Sequence, residues 1–321
     1  MWISRFLLAV VGGAGLVALS AMLTRTAASV APALSVAGPP AQDSVANGTA
    51  PAPYADPEAR RCLQRTLDAF HPGHVAWLEM EIWQKAQLPG CAYEAEGSYR
   101  LAPGQRFRLE MHTHPGTDEG TSLSVSDGRT LWQADRPGPG AWENVTRLNL
   151  SNLFALMNGP AGPQLRNEFL QRPHFQGMTS LLIHLRDRLV WAKSERLRQS
   201  NGEVIHLVGV WSKEEALRIV PPDYPWPAAL PRQCHLFLDA QTYWPKRVEW
   251  WGPNANGDSV DRMLVQMEFR NPVFNRPLSD DECQRLFAFH PGETDIEDRT
   301  PTVTAEMTKR AGELAPRPMN R

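Results

Sequence analysis

The stretch Arg106-Phe107-Arg108-Leu109-Glu110-Met111, with Ser122-Leu123-Ser124-Val125-Ser126-Asp127-Gly128-Arg129-Thr130-Leu131-Trp132 beyond it, decides the fold of this chain. Polar and apolar residues alternate in both pieces, the period of a strand with one sheltered and one wet face. Asp127-Gly128 between two apolar pairs is a tight-hairpin signal. Upstream, Leu78, Met80 and Ile82 alternate with Glu79 and Glu81. Downstream, strands are expected at Val190-Trp191, Val204 to Trp211, Cys234 to Leu238, Trp244 to Trp251, and Met263-Val265-Met267-Phe269, with Asn201-Gly202 as a second hairpin turn. Strand after strand joined by short turns predicts a mainly β, α+β chain built as an antiparallel meander rather than from βαβ units.

Helices punctuate this pattern. Pro57 after Asp56 suits a helix start, and Cys62, Leu63, Leu67 and Phe70 form an apolar stripe that ends at His71-Pro72-Gly73. A helical insertion is expected around 148–188, with stripes at Leu150, Leu153, Phe154, Met157 and at Leu181, Leu182, Leu185, Leu189, broken by Pro160, Pro163 and Pro173. A Pro-rich connection runs from Val220 to Pro231. Ser279 before Asp280-Asp281-Glu282 reads as a helix cap with acids at the helix N-terminus, not as a calcium loop, which needs more oxygen ligands. The polar stretch 298–321 is expected to be a disordered tail.

The N-terminus reads as a targeting segment. Arg5 precedes an uncharged stretch from Phe6 to Leu23, and Arg25 closes it. That length lies between a signal-peptide core and a spanning helix, so 1–26 is a cleaved signal peptide or a retained membrane anchor. An Ala/Pro-rich linker over 27–55 follows, then one domain over 56–297. Export to a periplasm or cell envelope is the expectation, with inner-membrane anchoring if the leader stays.

Composition narrows the partners. A formal net charge of −2 without a basic run excludes a nucleic-acid surface, and 11 tryptophans call for a large apolar interior. The four cysteines, Cys62, Cys91, Cys234 and Cys283, match no zinc or redox spacing. In an oxidising compartment they are disulfide candidates, with Cys62–Cys91 and Cys234–Cys283 the sequence-nearest choice and buried free thiols the alternative. His112 and His114 share a strand face, but Arg106, Arg108 and Glu110 on that face mark it as solvated, so no metal is expected. No nucleophile elbow, phosphate loop or zinc-protease motif is present, and neither catalysis nor a cofactor is expected.

In order along the chain, several pieces resemble the LolA/LolB-like lipoprotein-carrier superfamily. They are the helix before Trp77 to Gln84, Glu96-Gly97-Ser98-Tyr99, Arg106 to Glu110, and Ser126-Asp127-Gly128 with Leu131-Trp132. Later come Leu236-Phe237-Leu238-Asp239 into Tyr243-Trp244-Pro245-Lys246-Arg247-Val248, then Met267-Glu268-Phe269 to Asn271, then Phe287-Ala288-Phe289-His290-Pro291-Gly292. The resemblance spans about Val75 to Gly292. It implies a strongly curved, incomplete antiparallel barrel with helices over the concave face, holding lipid or lipoprotein acyl chains, or serving as a tethered sensor that binds an envelope protein. It assigns no single ligand-binding residue.

A curved sheet must cover its apolar face or fill it with ligand. The apolar positions of the predicted strands are therefore the candidate lining: Leu78, Met80, Ile82, Phe107, Leu109, Met111, Leu123, Val125, Val248, Trp250, Met263, Val265, Met267 and Phe269. Methionine among them is flexible and adapts to varied ligand shapes. Core filling is the plainer role for any one of these side chains.

Overall fold

A computed structural model describes residues 55–70, 75–114, 119–159, 162–165, 178–200, 202–220, 224–254 and 260–314. The leader, nearly all of the linker and the last seven residues lie outside them. Strands β1 (Leu78–Leu88), β2 (Cys91–Ala102), β3 (Arg106–His114), β4 (Gly120–Asp127), β5 (Thr130–Pro137) and β6 (Glu143–Asn149) form one meander. Strands β7 (Leu189–Gln199), β8 (Gly202–Trp211), β9 (Gln233–Asp239), β10 (Pro245–Gly252) and β11 (Arg262–Phe274) form a second. Pairing of β1 with β11 fuses them, and β12 (Ile296–Asp298) adds to β6. The sheet is open, in the order β12-β6-β5-β4-β3-β2-β1-β11-β10-β9-β8-β7. Every pair is antiparallel except β12–β6.

The predicted hairpin forms at Asp127-Gly128. Gly128 takes φ +90°, and the Asp127 carboxylate accepts from the backbone N–H groups of Arg129 and Thr130 at 2.8 and 2.7 Å. The expected helices are α1 (Pro57–Ala69), α2 (Leu150–Leu156), α3 (Met178–Arg188) and α5 (Asp280–Phe287), the last capped by Ser279. Helix α4 (Lys213–Ile219), capped by Ser212, lies between β8 and the Pro-rich connection.

Helix α3 shows how strongly the sheet bends. Tyr99 of β2 hydrogen-bonds the backbone of Met178, and the Trp191 indole of β7 donates to the Leu185 carbonyl at 3.3 Å. Those anchor points are about 10 Å apart along a helix. The six strand steps from β2 to β7 would span about 29 Å on a flat sheet. One core accordingly runs from Leu148 on β6 to Trp191 on β7, through α1, α2 and α3. Register shifts in β1, β5, β7, β10 and β11 accompany the bend. At Gly97 a Cβ would stand 1.9 Å from the Glu110 carbonyl oxygen, so only glycine lets β2 and β3 approach there.

Helix α1 seals the β7 side. Asp56 caps it, donates its backbone N–H to the Trp191 carbonyl at 2.7 Å, and accepts from the Ser194 hydroxyl. Phe70 stacks on Trp244 at 4.8 Å, and Trp244 meets Phe274 edge-on at 4.9 Å.

The C-terminal segment corrects an expectation. The stretch 298–321 is not wholly a disordered tail, because Thr300–Leu314 form helix α6. Val303, Met307, Ala311 and Leu314 make a helical stripe, and Met307 is fully buried in the main core. Before α6 the chain crosses the outer face of the sheet as a strap. Phe287 packs on Trp77 and Ala102, Phe289 sits between Trp132 and Trp142 at 5.8 and 5.6 Å, and Thr294 bonds the Trp142 carbonyl.

All four cysteines are free thiols, so neither disulfide is formed. For Cys234–Cys283 the reason is topological. Cys234 belongs to the helix-covered core, whereas Cys283 packs on the outer face with Trp77 and Phe287.

Candidate binding face on the concave side

Residues paired across an antiparallel ladder share a face. The rows Leu78–Leu101–Phe107, Met80–Tyr99–Leu109 and Ile82–Gly97–Met111 therefore point one way, toward the helices. Through β11 and β10 the same face continues as Phe269 opposite Ile82, Met267 opposite Gln84 and Val248, and Val265 opposite Trp250. Eleven of the fourteen candidate lining residues thus share the concave face: Leu78, Met80, Ile82, Phe107, Leu109, Met111, Val248, Trp250, Val265, Met267 and Phe269. The side chains that cover it include Leu153, Leu182 and Met307, each fully buried.

The other three candidates lie on the outer face. Leu123 and Val125 pair with Glu110 and Arg108 rather than with Leu109. They are buried all the same, at 2% and 0% exposure, on the side where α5 packs against β3 and β4. Met263 pairs with Trp251 because a bulge between Trp250 and Trp251 turns Leu264, in its place, into the core.

The concave face carries a polar column that the alternation pattern had hidden. Ser122, Ser124 and Ser126 pair with Met111, Leu109 and Phe107 on one side, and with Asp135, Gln133 and Leu131 on the other. Gln133 pairs on with Thr146 of β6. Asp135 is 8% exposed and bonded by the Asn144 side chain, and burial pushes its pKa up to about 7. Its Oδ1 and the Ser124 Oγ are buried without a hydrogen-bond partner. The available signal was positional: Gln133 and Asp135 fall two and four residues after Leu131, so a straight strand puts all three on one face.

An open groove of about 620 Å³ lies beside the β9–β10 turn and the end of β11. Phe237, Trp244, Phe269 and Phe274 line it, with Arg247 and Arg270 among its polar groups. Phe269 and Trp244 belong to the concave core, so the groove reaches the margin of that face.

On the outer face of β7 to β10, hydrogen bonds link Glu195 to His206 at 2.8 Å and His206 to His235 at 2.9 Å, and Phe237 stacks on His206 at 4.4 Å. Burial and the neighbouring His206 lower the His235 pKa to about 4. His112, weighed as a metal ligand, bonds the Thr121 hydroxyl at 3.2 Å and lies beside Glu110. Among the described residues no helix is long and apolar enough to cross a membrane.

No protein-family model matches this chain, and no curated protein does. Among solved structures, LprF from Mycobacterium bovis is 12% identical with a TM-score of 0.35, over 71% of this chain and 97% of that one. The Pseudomonas aeruginosa MucA/MucB complex is 15% identical with a TM-score of 0.34, over 71% of this chain and 60% of the matched chain. A LolA superfamily protein from Nitrosomonas europaea is 12% identical with a TM-score of 0.23, over 72% and 97%. The chain thus spans about three fifths of its match in the MucA/MucB complex. The open antiparallel sheet, the bend and the helix-covered face are the architecture that the LolA/LolB resemblance implied.

Proposed function

We propose that this chain is a non-catalytic, exported cell-envelope protein that binds lipid, or the acyl chains of lipoproteins, along its concave apolar face. The observation that carries the reading is the groove of about 620 Å³ lined by four aromatic rings, two of which, Trp244 and Phe269, belong to the concave core. That volume lies in the range of small-molecule sites. An acyl chain entering there slides past side chains that yield easily, since Met80, Met111, Met157, Met178 and Met267 all border the core. Each methylene withdrawn from water contributes about 0.8 kcal/mol, so eight give roughly 6 kcal/mol before ordering costs.

Lipid extraction and mass spectrometry of the purified protein, with uptake of a fluorescent fatty acid, tests the reading. Bound lipid or saturable uptake supports it. Lipid-free protein that takes up no fatty acid overturns it.

A second reading, an envelope interaction module, has its own observation. The outer face of β7 to β10 presents a ladder of Glu195, His206, His235, Phe237 and Arg247 instead of plain solvated charges, with Arg247 lying 4.0 Å over the Phe237 ring. A protein partner retained by the wild type and lost on His235→Ala, a ladder residue outside the groove, with lipid uptake unchanged, favours this reading.

A further inference from the structure

We infer that the polar column on β4 to β6 is a head-group site for an ammonium-bearing amphiphile, with its tail along the apolar part of the concave face. The inference rests on the acyl-binding reading above and names the chemistry of the ligand's polar end. Two observations carry it independently. First, Asp135 Oδ1 and the hydroxyl Oγ of Ser124 are both buried without a hydrogen-bond partner. Their residues are 8% and 6% exposed. They are close neighbours, since Ser122 pairs with Asp135 and Ser124 with the adjacent Gln133. A buried acceptor without a partner is costly, and a donor-bearing ligand relieves that cost. Second, the column borders the apolar face directly, with Leu109 and Met111 paired to Ser124 and Ser122. A head group held here leaves its tail on the side chains proposed to hold it.

The sign of the charge follows from the surroundings. Asp135 has an amide neighbour, Asn144, and a like-charged one, Glu143. A buried carboxylate without a counter-charge is unfavourable, which is why this one holds its proton up to about pH 7. An ammonium supplies the missing charge and three N–H donors at once. Once Asp135 is ionised, an anionic head group meets like charge with Glu143 beside it, and is repelled. The column also lies at the rim. Asp135 is one same-face pair from the strand ends Gly120 and Pro137, and the register Gln84–Ala95–Thr113–Gly120 puts it toward the opposite strand ends from Phe274, which pairs with Leu78 at the groove. Head and tail thus have separate ends of the concavity.

The test is titration of the full chain, by calorimetry below micelle-forming concentrations, with dodecylammonium, dodecanol and dodecanoate. Dodecylammonium is expected to bind about tenfold to a hundredfold more tightly than the other two, the worth of a charge-assisted hydrogen bond. Asp135→Asn removes that preference, read as the ratio of dodecylammonium to dodecanol affinity within each protein. Ser124→Ala lowers the preference on its own, and serves if the first variant does not fold. If the three probes bind alike, or keep their ranking in both variants, the column is satisfied by water and this inference falls while acyl binding stands. A preference for dodecanol or dodecanoate also overturns it. If none of the three binds, the acyl-binding reading fails and takes this inference with it.

Discussion

Replacing Asp135 by asparagine removes one proton-binding group from the concave face and keeps its shape, so the buried carboxyl can be measured by difference. Burial raises its pKa from the ordinary 3.8 to about 7 in the folded chain. Between those values the folded state holds a proton that the unfolded state has released. The folded-state pKa is the raised one, so its contribution is fully present at low pH, declines as pH rises from about 4 to about 7, and is flat above. Each pH unit in the window is worth about 1.4 kcal/mol, which sums to about 4 kcal/mol as an upper figure. Local relaxation and water entry bring the expected change to about 2–4 kcal/mol, or a shift in Tm of roughly 5–15 °C. The variant's amide has no proton to lose, and every other titrating group is common to both proteins. Urea unfolding followed by tryptophan fluorescence, from about pH 4.5 to about pH 8.5, gives the difference in stability directly. The variant is expected to gain steadily on the wild type up to neutral pH and then to run parallel. A difference that is flat through the window, or wild type gaining on the variant as pH rises, refutes the burial of this carboxyl.

Gly97→Ala forces a methyl to within 1.9 Å of the Glu110 carbonyl oxygen, so the β2–β3 ladder must part there. A loss of about 2–4 kcal/mol is expected in the same unfolding assay. Met307→Ala is expected to cost about 2–5 kcal/mol, because that side chain is fully buried, whereas in an unpacked tail the substitution is silent. Asp56→Ala removes a helix cap and the partner of Ser194 and is expected to cost about 1 kcal/mol at neutral pH. The Ser194 hydroxyl lowers the Asp56 pKa, so this contribution is present above the ordinary carboxylate pKa and fades only as pH falls below it; urea midpoints at neutral and strongly acidic pH check the trend.

Period-two alternation makes the strands and the two hairpins legible, and apolar stripes do the same for α1, α2 and α3. Alternation says which residues share a face, but not which face is concave. At β4 both faces are covered, the serine side by the helix-side core and the Leu123–Val125 side by the strap, so the apolar set points to the wrong side. Nothing local to residues 122–126 signals a strap that arrives far later in the chain. Met263 is misplaced by pattern alone because one extra residue in β11 reverses the facing of what precedes it, and bulges have no composition of their own. Helix α6 escapes the pattern because its stripe is thin and its other faces are polar, so its order comes from tertiary contact rather than from local propensity. Asp135 lies in plain view two positions after Gln133, but a lone acid among strand residues ordinarily faces water.

The seam between the two meanders has a consequence for how the molecule comes into being. Glu81 pairs with Arg270, 189 positions away, so β1 waits for its second neighbour until almost the whole polypeptide has been delivered. Such distant pairing slows folding. On a chain threaded N-terminus first from a ribosome or a translocation pore, the early meander stands with a bare edge and uncovered tryptophans, open to aggregation or to a chaperone. Completion falls to the final stretch, which closes the outer surface, extends the far edge and docks Met307 inside, so a product shortened before residue 276 keeps most of its strands and loses the means to protect them.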